Sequence, residues 1–398
     1  MFPTTHPFRP ARLGAGLLVG VALTVTACTG SPAAGTEQAT ETPHGYVEGA
    51  SEVAEPQVGL AYAQRGSGTL SILDLAGETT ESVDLVAEAE TLVEDGRFAY
   101  VGDGDRTVEI VDTGVWTVDH SDHVHYYRAP ATAVGTITLD APIASIVGHE
   151  GYTAIGTSDG TVTLLDRKAL ESGDVTVVGE LRSSAPVPFA VPYRGHLLLA
   201  GATGMSAVDA SGADVRAMGA GCAAPEGWAI LRGAVAIGCD DGVLVVRQKA
   251  GADRDVLLPY PTAGDRVRVF GHRPRSNEAA AVAGNGVWNV HTSEETLVHA
   301  PMPGTVVAAG SPANGESVLG LDDTGSVHIA ATEGGAVLAS SSLVPAGTNG
   351  PLLIDTTRAY LADPAASTVY ELDYADNLRV ARTFETGARP DLIVEVGR

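Results

Sequence analysis

The 398-residue chain sets 24 Lys and Arg against 49 Asp and Glu, a formal charge of −25, and contains 48 glycines but only 5% aromatic residues. That balance excludes a nucleic-acid partner, because phosphate binding needs clustered cations. The glycine count and the scarcity of helical periodicity exclude a helical bundle and favour strands joined by short turns.

The N-terminal residues read as an export signal. Arg9 and Arg12 precede an apolar run from Leu13 to Thr24, which ends at Val25-Thr26-Ala27-Cys28. The run is too short to cross about 30 Å of hydrocarbon, and small residues before a cysteine form a lipobox. We expect residues 1–27 to be a lipoprotein signal peptide, with Cys28 lipidated at the outer face of the cytoplasmic membrane. Cleavage would leave 22 basic against 49 acidic residues. Residues 28–43, rich in Thr, Ser, Gly, Ala, Pro and Glu, then form a flexible tether. No second linker follows, so residues 44–398 are expected to be one domain.

Within that domain an alternating strand, a Gly/Asp turn and a second alternating strand recur. The copies end at Asp74, Asp112, Asp166, Asp209, Arg247, His291, Ala330 and Asp373, in steps of 38 to 54 residues. The period fits a four-stranded propeller blade, whereas a β-helix would repeat faster. The predicted fold is all-β, an eight-bladed β-propeller. SEVAEPQ, ahead of the first unit, lacks the pattern of a leading strand. RPDLIVEVGR at the other end supplies one, and it is expected to complete the first blade and close the ring.

The longest step holds DHSDHVHYYR, Asp119 to Arg128. In an extended segment His123 and His125 point the same way, with Asp122 and Val124 opposite. Two imidazoles on one face suit Zn2+ at about 2.0–2.1 Å, with His120, Asp119 or a remote group completing a tetrahedron and Asp119 or Asp122 accepting from the other ring nitrogens. Cu(II) or Ni(II) would suit the same ligand types. His149, at the end of PIASIVGHE, is the remote candidate. In the same register Glu94, Asp95, His272 and Asp355 fall near other inner-strand ends, giving one rim a ring of polar groups. His44 belongs to the junction with the tether, and His196, His291, His299 and His328 read as structural or exposed.

Cys222 and Cys239 are an even pair in an oxidising compartment and are expected to be bonded, closing a loop worth about 3 kcal/mol. Neither belongs to a C-x-x-C pair, which disfavours a zinc or redox role. No G-x-S-x-G, H-E-x-x-H or phosphate-loop pattern occurs. The chain therefore reads as a binding and transfer protein and not an enzyme. A metal-dependent hydrolase working in the propeller axis and a metal-free interaction scaffold are the other two readings.

PHGYVEGA at residues 43–50, DHSDHVHYY, the Gly-Cys pairs at Cys222 and Cys239 and the ending RPDLIVEVGR together resemble AztD-type zinc metallochaperones, from His44 to Arg398. The resemblance implies a monomeric β-propeller outside the cytoplasmic membrane that passes zinc to the solute-binding protein of a zinc ABC importer. It matches His123 and His125 to the family's paired histidines, His120 and Asp122 to their flanking motif, and His149 to a histidine of the next blade. The family's His-Gly after the first of the two cysteines stands here as Glu226-Gly227, so Glu226 is expected either to replace a ligand or to mark a lost site.

Overall fold

Leu60, Ala61, Tyr62 and Ala63 are all buried, and so are Leu70, Ile72 and Leu73 beyond the next turn. Strands buried on both faces need a packed layer on each side, and the same burial recurs at every repeat. The computed structural model describes residues 49–119, 123–262 and 266–398. The lipobox, Cys28, the tether and His44 lie outside the described residues. All the described strands fall within the unit Pro43–Arg398. Among the described residues the one helix is Arg167–Leu170, capped by Asp166, and no helix is long and apolar enough to cross a membrane.

The described strands form eight four-stranded antiparallel sheets and one three-stranded sheet, an all-β, propeller-like arrangement. The third sheet is representative: Ile143–His149, Tyr152–Thr157, Thr161–Asp166 and Val177–Arg182 follow in spatial and chain order. The first sheet departs from chain order. Its leading strand is Leu392–Val396, which pairs with Gly59–Ala63 and sets Val394 opposite Ala61. Tyr62 reinforces this junction by donating to the Thr386 carbonyl at 2.6 Å.

Apolar clusters join successive sheets. Phe98, Tyr100 and Ile110 of the second meet Ile146, Ile155 and Leu165 of the third. Leu60, Tyr62 and Ile393 of the first meet Tyr360, Ala362 and Val369 of the eighth. Each such side chain contributes roughly 1.5–3 kcal/mol on burial. Sheets approach closely where side chains are absent: a Cβ on Gly156 would lie 1.9 Å from the Pro188 carbonyl oxygen. Cys222 and Cys239 are bonded, as predicted, within the cluster that joins the fourth and fifth sheets.

Glu395 interrupts the apolar pattern of the leading strand. It is 2% exposed, and among the described residues neither carboxyl oxygen has a hydrogen-bond partner. Burial, reinforced by the charge of Asp355, pushes its pKa well above the ordinary carboxylate range.

Candidate metal site

The long insertion leaves the second sheet after Thr107–Asp112 and returns at Thr132–Thr138, that sheet's outer strand. Between them Val115–Asp119 pairs with Val124–Arg128, and Ser51–Val53 adds a third strand on the other side of Val124–Arg128. SEVAEPQ, which lacks a blade-strand pattern, thus does contain a strand, but one outside the blades. Its three residues pair with the histidine hairpin, setting Glu52 opposite Tyr127.

Alternation places Trp116, Val118, His125, Tyr127 and Glu52 on one face of this sheet. Trp116 stacks on Tyr127 with centroids 5.4 Å apart, and the Arg97 guanidinium lies 3.9 Å above the Trp116 ring. Asp112 holds Arg97 in place at 2.7 Å. The hairpin neck is tight: Ala129 N–H donates to the Gly114 carbonyl, and a Cβ on Gly114 would come within 2.2 Å of the Ala129 oxygen. Arg128 ties the base to Asp74 at 2.6 Å.

The predicted register of His123 and His125 matches their placement. Their rings meet edge to face, with centroids 4.9 Å apart. His125 Nδ1 lies 2.7 Å from Glu52 Oε1. A carboxylate accepts only, so Nδ1 is the donor in this contact; in the neutral ring the lone pair is then on Nε2, the nitrogen through which an imidazole can ligate a metal. Glu52 is the residue that sequence reasoning missed. His120 and Asp122 lie outside the described residues, and among the described residues no three His, Cys, Asp or Glu side chains converge closely enough to hold an ion.

Thr117 and Asp119 alternate to the opposite face and line a cavity of about 750 Å³ together with His149, Trp228, His272 and Arg275. His149 therefore belongs to the far side of the sheet from His125. Its Nε2 is 3.8 Å from Glu150, and burial lowers its pKa against the opposing Glu150 charge, with the Arg167 charge adding to the lowering. Of the residues predicted to form one polar rim, Glu94, Asp95 and His272 also line this cavity, the two carboxylates in ion pairs. Asp95 is held by Arg167 and the Tyr100 hydroxyl, each at 2.7 Å, and Glu94 by Arg398. Asp355 lines a different cavity, with Arg358 and Tyr360. Asp119 is engaged by Arg275 at 3.2 Å.

Glu226 sits apart from both groups. Arg268 grips its two oxygens at 3.0 and 2.8 Å, and Arg266 approaches at 3.1 Å. An ion bound there would have to displace two guanidinium groups.

No protein-family model matches the chain. The structure of AztD from Citrobacter koseri matches with a TM-score of 0.72 at 18% identity, over 86% of this chain and 98% of that one. The fold is that of AztD. The apo form of Citrobacter koseri AztD gives 0.71 at 17% identity, again over 86% of this chain and 98% of its own. A more distant match is dihydro-heme d1 dehydrogenase NirN in complex with DHE, with a TM-score of 0.56 at 13% identity, covering 87% of this chain and 76% of that one. The likeness to AztD expected from the sequence thus holds for the fold, and identities this low transfer no residue roles.

Proposed function

We propose that this protein is an extracytoplasmic zinc metallochaperone, a non-catalytic lipoprotein anchored through Cys28 at the outer face of the cytoplasmic membrane. It binds zinc at the histidine hairpin and passes it to the solute-binding protein of a zinc ABC importer. Its scaffold is a closed eight-bladed propeller. Support for closure comes from the apolar clusters, which join consecutive sheets and, through Ile393 and Tyr360, the last to the first.

One observation carries the metal reading: His123 and His125 share a face, with Glu52 on the second imidazole. Two imidazoles on one face of an accessible hairpin are donors suited to zinc, and the carboxylate behind the second would orient its ring. His120 and Asp122 complete the set in this reading, and the AztD fold supports it. Glu226 is held by Arg266 and Arg268, and His149 lies on the far side of the sheet from His125.

Calorimetric zinc titration of the wild type and the His123→Ala, His125→Ala double variant tests the proposal. The wild type should bind, and the variant should lose binding at least a hundredfold. Ligation needs neutral imidazole, so wild-type affinity should weaken as pH falls through the ordinary histidine range near ~6.5. A wild type that takes up no zinc, or a variant with undiminished affinity, defeats the reading.

A further inference from the structure

The cavity beneath the three-stranded sheet is not used by the zinc site. Its walls are residues 93–96, 146–150 and 228–233 with His272 and Arg275, drawn from the leading ends of four different sheets. Thr117 and Asp119 of the hairpin close over it. Thr117 Oγ1 donates to the Gly397 carbonyl at 3.2 Å, seating this face on the first sheet. Asp119 Oδ2 meets Arg275 Nη1 at 3.2 Å, a contact between the insertion of the second sheet and the turn joining the first two strands of the sixth. Arg275 has a φ of +54°, a left-handed backbone that glycine adopts without strain. The Arg232 N–H holds the following turn by donating to the Ser276 carbonyl at 2.7 Å.

The two faces of the sheet share one backbone. His123, His125 and Glu52 stand on one side, and Thr117 and Asp119 on the other. The Glu52–His125 bond already joins Ser51–Val53 to Val124–Arg128, and in the zinc reading an ion on the histidines would stiffen the element that closes the cavity. We infer that the three-stranded sheet is a lid on this cavity, that Arg275 latches it through Asp119, and that ion capture on the histidine face holds it shut. The last part rests on the zinc reading.

Amide hydrogen exchange on the full chain tests both parts, using the wild type, Arg275→Gln and Arg275→Lys. Without metal, Arg275→Gln should exchange severalfold faster at 115–119 and 228–233, with Ala234–Gly238 unchanged as the control. Arg275→Lys, which keeps a cation, should recover part of the protection. Zinc chloride should slow 115–119 and 228–233 in the wild type. In Arg275→Gln it should slow 123–128 alone. A metal-free Arg275→Gln protein exchanging like the wild type overturns the latch. Equal slowing of 228–233 in both proteins, or none in a wild type that binds zinc by calorimetry, overturns the coupling. Absence of zinc binding would remove the metallochaperone reading and the coupling, while the metal-free comparison would still decide the latch.

Discussion

His125 donates from Nδ1 to Glu52 Oε1 across 2.7 Å, joining a three-residue strand ahead of the first sheet to a hairpin inserted in the second. In the neutral ring this bond leaves the lone pair on Nε2, and in the zinc reading Glu52 would orient that ligand. Loss of such a partner typically costs 10–100-fold in affinity. Glu52→Gln should therefore raise the zinc dissociation constant by about that factor in a competition titration at pH 7.5, with the thermal midpoint little changed. Affinity within twofold of the wild type would remove Glu52 from the site.

The leading strand of the first sheet comes from the far end of the chain, and Ile393 on it is 4% exposed between the first and eighth sheets. Ile393→Ala should cost about 2–5 kcal/mol in urea unfolding. Deletion of residues 390–398 should abolish the cooperative transition, because it also uncovers the edge of Gly59–Ala63. A truncated protein that melts like the full chain would show that the strand is dispensable.

Glu395, on the same strand, faces Asp355 and Tyr360 and binds its proton more tightly in the folded state than an exposed carboxyl does. Folding then takes up a proton once pH exceeds the unfolded value near ~4.3, and stability declines as pH rises toward the folded pKa. Glu395→Gln removes that decline. The variant should exceed the wild type in urea midpoint at pH 8 and match it more nearly at pH 4.5. Parallel curves for the two proteins across that range would contradict this account of the residue.

Much of the scaffold was legible because strand alternation is local. The eight hairpins, the leading strand around Leu392-Ile393-Val394 and the common face of His123 and His125 all follow from a period of two residues. Glu52 was hidden because its partner is 73 residues away, and three residues of SEV carry too little pattern to announce a strand. The same distance effect hid Asp119 from Arg275, 156 residues on, and Glu226 from Arg266 and Arg268. Register told which residues end the inner strands, but not that cations from other segments, such as Arg167 and Arg398, would reach Asp95 and Glu94.

Ser51–Val53 also lies in the path of any force applied to the N-terminal side of the chain. Three cross-strand pairs on one edge resist such a pull, whereas Gly59–Ala63 is paired on both sides. Under tension the short strand would peel first and take Glu52 from His125 while every four-stranded sheet kept its partners. The joint that yields first to a pull from the N-terminal side is thus the one that holds the carboxylate of the histidine site.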